Sequence, residues 1–435
     1  MNNPFTYSMS DSEPTDLSNA DKPKYLLHLF LFLLTLLTTT LAGAELVSGK
    51  TDYFSWEGLL QIGIGLPYSL SFLTFLTVHE FGHYFTARLN QVRCSLPYFI
   101  PLYLPFSVFN IGSMGAIIRM RQTPNSTQQY FDIGIAGPLA GFVVALAILI
   151  WGFTNVPDVA YLQQIHPDYL TWFGNVMPTN EDLTSVLSQQ GAVTIELGHS
   201  LIFEIFRWLF AQESTFPPDM ELYHYPFLFV GYLTLFFTAL NLLPIGQLDG
   251  GHVTYGLFGR EWAGKISRIT VFLLITYGGI GWVNFSELNN IIITGLYLAF
   301  IIFIIKHLLN HPPIYITILS SLSLLSFQYL IQELTGWEAT GIIWLVYSFI
   351  AVRLIKLDHP PAYIEQPLNF TRKILGIISL VIFILCFTPD PLKIVVMEPP
   401  ANNETPEENK PKDEGITVQL SKPWKFIEQH TLASW

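Results

Sequence analysis

The chain alternates between long apolar runs and short polar connections. Runs near 25–46, 59–86, 131–152, 225–248, 266–284, 289–307, 313–332, 338–356 and 372–388 each approach the ~20 residues that cross a hydrocarbon layer. Lipid offers no hydrogen-bond partner, so a chain in it must satisfy its own N–H and C=O groups, and runs of this length predict helices. The shorter, alternating segments of a membrane barrel are missing. The pattern therefore predicts an all-α polytopic membrane protein of about nine transmembrane helices.

The connections carry an ordered charge. Lys22 and Lys24 precede the first run, Arg88, Arg93, Arg119 and Arg121 follow the second, and Arg260, Lys265 and Arg268 follow the fourth. Lys306 ends the sixth, and Arg353, Lys356, Arg372 and Lys373 lie between the eighth and ninth. The alternate connections are acidic, with one arginine in 153–224 and Glu287, Glu333 and Glu338 in the short ones. This asymmetry predicts a cytoplasmic N-terminus. It places the insert 153–224 and the tail 389–435 outside.

Segment 97–121 is apolar yet broken by Pro97, Pro101, Pro105, Gly112 and Gly115. Prolines at that density forbid a straight helix, so a short re-entrant loop or hairpin near the active site, or a surface-lying piece, is expected. Residues 1–24 are polar and acidic without the basic start of a signal peptide and read as a disordered tail. The stretch 398–415 is disordered in composition. The expected organisation is a first span and external loop (25–58), a core (59–265) holding segment 97–121 and the insert 153–224, additional spans (266–388) and a largely disordered tail (389–435).

Composition agrees: 51% of residues are hydrophobic and 12% charged, about half the charged share of a soluble domain. The net charge of −12 argues against nucleic acid, which requires a basic footprint. Two cysteines, Cys94 and Cys386, are too few for a disulfide framework or a thiolate metal site.

The chemistry-bearing residues lie at span ends. His79 and His83, four apart in His79-Glu80-Phe81-Gly82-His83, share one helix face and can hold one metal ion, with Glu80 beside it as general base for a water on the metal. Zinc requires a third protein ligand and an open position. Asp249, in Leu248-Asp249-Gly250-Gly251-His252, ends the fourth run on the same cytoplasmic side as His79 and His83, as the charge topology alone requires. Ionisable groups in apolar spans are costly and mark function. His252 reads equally as a partner of Asp249 or an interfacial histidine, His28 as a satisfied one, and Gly134, Gly137 and Gly141 as close-packing positions.

HEFGH followed downstream by Asn241-Leu-Leu-Pro244-Ile-Gly-Gln-Leu248-Asp249-Gly250, with Gly134-Ile-Ala-Gly137-Pro138-Leu-Ala-Gly141 between them, resembles the site-2 protease family of intramembrane zinc metalloproteases. The resemblance covers about residues 59–265. It implies that His79, His83 and Asp249 hold one Zn2+, that Glu80 activates water, and that Asn241 holds substrate or the oxyanion. It further implies metalloendopeptidase activity on single-span membrane proteins, within or near their spans, at the lipid bilayer. The 153–224 insert is too short for a peptide-binding PDZ module, so the chain looks closer to the PDZ-less branch of bacteria and plastids, and a bacterial inner membrane is the expected location. A transporter or metal channel would require further acidic or histidine residues in the other spans, and these are largely missing. A non-catalytic relative is the other alternative, against which the intact Glu80 argues.

Overall fold

The computed structural model describes residues 24–396 except 51, 52, 54, 105–109, 191–192, 213–214, 284–287 and 338–340. The tails expected at 1–24 and 398–415 lie almost wholly outside these residues.

Helices occupy all nine apolar runs. In chain order the elements are α1 (Tyr25–Ser48), α2 (Trp56–Gln61), α3 (Leu66–Leu89), β1 (Tyr98–Pro101), β2 (Ser113–Ile117), α4 (Thr127–Thr154), α5 (Val159–Ile165), α6 (Asp168–Phe173), α7 (Asn180–Gln190), β3 (Val193–Leu197) and α8 (Leu201–Phe210). There follow α9 (Pro226–Leu242), α10 (Asp249–Gly278), α11 (Leu288–Leu308), α12 (Ile314–Thr335), α13 (Ile342–Ile350), α14 (Phe370–Cys386) and β4 (Leu392–Val396). Among the described residues, five helical stretches are both long and apolar enough to cross a membrane, namely Tyr25–Ser48, Gly58–Leu89, Thr127–Thr154, Asn290–Leu308 and Ile314–Thr335. Pro226–Leu242 and Ile342–Ile355 are apolar but shorter. The expectation of nine spans is thus met in full length by five.

Two differences have local causes. The fourth run does not continue as helix to Leu248. Pro244 disfavours helical backbone at Leu243, α9 ends at Leu242, and Asp249 instead opens α10. The fifth run begins inside α10, where Gly259 takes a left-handed φ of 78° and divides the helix.

α4 is the hub of the core. It starts at a capping box, in which the Ser126 side chain accepts from the Gln129 N–H and the Gln129 side chain returns the contact. It packs along α3, α9 and α10, and Tyr68, Phe72, Phe75, Leu149 and Leu228 fill the space between these helices. On the outer faces Leu60, Val143, Leu296, Leu319 and Leu330 are exposed, as side chains solvated by lipid would be.

The proline-broken segment holds two strands, β1 and β2, rather than a helix. β1 and β2 pair antiparallel, Tyr98 with Ile117 and Phe99 with Ala116. The hairpin is tied to α1: Thr38 donates to the Gly112 carbonyl at 2.7 Å, Asn110 donates to Glu45 at 2.6 Å, and His28 Nδ1 bonds the Pro97 carbonyl at 3.0 Å. His28 is therefore a satisfied histidine. The insert folds as α5 to α8 with β3, and β4 pairs antiparallel with β3 from Val193–Val396 to Leu197–Leu392. The chain therefore leaves α14 on the insert's side of the bundle, and the stretch expected as tail from 389 begins with a paired strand.

Candidate metal centre

α3 carries His79 and His83 at one-turn spacing, both buried, and α10 delivers Asp249 from its first turn. A carboxylate suits that position, because the free N–H groups of a helix start favour negative charge. The Nε2 atoms of His79 and His83 are 3.1 Å apart. Asp249 Oδ2 is 3.5 Å from the first and 3.2 Å from the second. A tetrahedral zinc with ligands at about 2.0–2.2 Å sets its ligand atoms about 3.3–3.6 Å apart. The triangle therefore has close to the edge length of that polyhedron, and two imidazoles with one carboxylate match zinc's preferred donors.

The tautomer is also set. His83 Nδ1 donates to the Ile133 carbonyl at 2.7 Å, which leaves a lone pair on Nε2, the atom facing the other two. Glu80 is buried beside the triad, with the backbone N–H of Ile118 near its carboxylate. Asn241, in the last turn of α9, lies with Nδ2 3.5 Å from His79 Nε2. The structure thus brings all five expected residues to one place, and the backbone just after β2 joins them.

The glycines of α4 have a more specific part than helix packing. A Cβ on Gly137 would lie 2.1 Å from His83 Nε2, one on Gly141 3.1 Å from His79 Nδ1, and one on Gly134 2.5 Å from His252 Cβ. Across the interface, a Cβ on Gly82 would meet the Ala136 carbonyl oxygen at 2.7 Å. These positions hold the backbones of α3 and α4 close enough for the imidazoles to sit between them. His252 is not a member of the triangle. It donates from Nδ1 to His359 Nε2 at 2.6 Å, and His359 Nδ1 bonds the Pro360 carbonyl. Burial and the neighbouring His252 hold His359 at about 3, well below the ordinary histidine range, so it is neutral. No spacing rule connects His359 to the motif, since it lies on a loop that only the fold returns to the site.

Two histidines and a carboxylate at tetrahedral spacing, with a glutamate beside them on apolar helices, define the class: a membrane-embedded centre of metallohydrolase type. Residues 67–280 match the model of peptidase family M50. The chain is 26% identical over 277 residues to the probable zinc metalloprotease EGY1, chloroplastic, of Arabidopsis thaliana, covering 59% of this chain and 43% of that protein. It is 25% identical over 225 residues to the probable zinc metalloprotease EGY2, chloroplastic, of Oryza sativa subsp. indica, covering 51% and 34%. With the probable zinc metallopeptidase EGY3, chloroplastic, of Arabidopsis thaliana it shares 27% identity over 255 residues, covering 57% and 39%. The chain therefore spans less than half the length of these relatives. No solved structure matches it. Residues 67–280 are those of peptidase family M50, the site-2 protease family.

Proposed function

We propose that this protein is an intramembrane zinc metalloendopeptidase that hydrolyses membrane-anchored proteins within or near their transmembrane segments. The observation that carries the proposal is the His79–His83–Asp249 triangle at zinc spacing, with Glu80 buried beside it. Family membership and the names of the relatives support zinc as the ion.

In this reading His79, His83 and Asp249 hold one Zn2+. When bound, the ion supplies a Lewis acid that polarises the scissile carbonyl and brings the pKa of a coordinated water towards neutral. Glu80 takes a proton from the attacking water and passes it to the leaving amine. His83 is kept in its ligating tautomer by the Ile133 carbonyl. Asn241 offers its amide to the substrate carbonyl.

A helical substrate hides its scissile carbonyls in its own hydrogen bonds and must be drawn into an extended form. Among the described residues β2 pairs only with β1, so its other edge offers backbone groups to an added strand. Because Ile118, the residue after β2, lies near Glu80, a peptide on that edge would lie beside the general base. The substrate class is a single-span membrane protein. The protein itself is a multi-pass membrane protein, and the lysine and arginine asymmetry supports a cytoplasmic N-terminus. The return of the chain to the insert's side after α14 supports an odd number of crossings.

Glu80→Gln in the purified protein, reconstituted with a single-span substrate, tests the reading. Zinc should be retained at one ion in this site while cleavage falls by at least ~10^3-fold. Cleavage that persists in this variant defeats the assignment of Glu80.

A further inference from the structure

A second triangle of the same kind lies in the insert. His166 follows α5, Glu221 immediately precedes the 3-10 turn Leu222–His224 that leads into α9, and His224 ends it. Residues three apart eclipse in a 3-10 turn, so Glu221 and His224 point the same way. The Nε2 atoms of His166 and His224 are 3.1 Å apart. Glu221 Oε2 is 3.3 Å from the first and 3.4 Å from the second. These edges, like those of the first triangle, match a tetrahedral zinc ion with ligands at about 2.0–2.2 Å.

The surroundings are built for a ligand set. His224 Nδ1 bonds the Val47 carbonyl at 3.2 Å, leaving a lone pair on Nε2, just as Ile133 does for His83. Tyr169 donates to Glu221 Oε1 at 2.7 Å and so turns Oε2 towards the imidazoles. Glu221 and His224 are almost wholly buried, yet Glu221 Oε2 receives no hydrogen bond. Without a cation, the one N–H of His166 would have to serve both His224 Nε2 and Glu221 Oε2. A buried carboxylate oxygen left without a donor is costly. A divalent cation satisfies all three atoms together. The side chain of His166 is 32% exposed, so the fourth position opens towards solvent.

We propose that His166, Glu221 and His224 form a second zinc site, which clamps the insert to the end of α1 and the start of α9. It is distinct from the first. Gly43, near the C-terminal end of α1, packs against Gly65 and Tyr68 at the start of α3, while His79 lies on the order of 20 Å further along that helix by the rise per residue. Because α9 runs from this clamp to Asn241, the second ion fixes the helix that brings Asn241 beside the first.

The full chain in detergent, equilibrated with micromolar zinc and dialysed, tests the proposal by zinc counted per chain. His166→Ala should lower the count by one ion, and His166→Gln, which keeps the bulk, should do the same. His166 is partly exposed and far from the first site, so both variants should fold and keep their His79–His83–Asp249 ion. The decrement is read independently of that ion: a wild type holding one ion that His166→Ala removes supports the second site and sinks the first. A wild-type count that neither variant lowers overturns the proposal.

Discussion

Gly137 lies directly against His83, with room for a hydrogen where any other residue carries a Cβ; that carbon would fall 2.1 Å from Nε2. The contact explains why a residue of α4, with no chemistry of its own, governs the site. Neither neighbour can retreat. His83 is held by the carbonyl of Ile133, one turn before Gly137 on α4, and α3 is pressed on α4 through Gly82. Gly137→Ala should therefore displace the imidazole, lowering zinc content well below one ion at this site and cleavage by about 10- to 10^2-fold, in line with the 1–3 kcal/mol typical of overpacking. Gly295→Ala is the control, since nothing lies within 4 Å of a Cβ there. It should leave both readouts unchanged and raise helix stability by up to about 1 kcal/mol.

Metal removal should be reversible and visible in stability. Three ligands from α3 and α10 meet at one point, so an ion bound there joins two helices of the folded state. Dialysis against a chelator should abolish cleavage and lower the melting temperature, and zinc should restore both. At 100-fold excess over the dissociation constant, a ligand of the folded state adds about 2.7 kcal/mol. Calcium or magnesium should not substitute, because both prefer six or more oxygen ligands. Full cleavage in metal-free protein would refute the centre.

How far these features were legible differs by residue. The nine apolar runs gave the helices, because lipid leaves backbone no other choice, and the charge alternation was enough to bring Asp249 to the side of His79 and His83. The kink after α9 was only half legible: Pro244 was visible, but not that Asp249 would begin a new helix rather than end an old one. Hairpin geometry in 97–121 was open between alternatives, since prolines exclude a helix without choosing its replacement. The pairing of β3 with β4, and of His252 with His359, joins positions over 100 residues apart. No periodicity encodes such contacts. The second triangle was hidden for the same reason: Glu221 and His224 form a local pair, but His166 stands 55 and 58 positions before them.

The free edge of β2 makes a prediction about substrate. Met114 points outward and is 66% exposed, so its side chain contributes little to the fold. Met114→Ala should therefore change cleavage by only a few-fold. Met114→Pro removes one backbone donor and locks φ, which blocks the added strand. Its effect should fall chiefly on KM, roughly 10-fold or more, with one zinc still bound at the His79–His83–Asp249 site. Equal cleavage by both variants would show that substrate does not dock on this edge.

The last prediction concerns the helices beyond the matched segment. Arg372, in the first turn of α14, forms a two-bonded pair with Asp132 of α4, both bonds at 2.7 Å. The planar guanidinium matches a carboxylate in a way that a lysine cannot. The side chains are 27% and 20% exposed, so water screens the pair and its value should be about 1 kcal/mol rather than the several expected in a dry core. Arg372→Lys and Asp132→Asn should each lower stability by about that amount. The double variant should lose little more than either alone, because the pair is already broken. Asp132 lies next to Ile133, whose carbonyl orients His83, so a loosened α14 should reach the site. Thermal unfolding in detergent reads the first effect and the zinc dissociation rate reads the second, which should rise two- to ten-fold. If the two variants lower stability additively and leave zinc dissociation unchanged, α14 is not coupled to the centre through this pair.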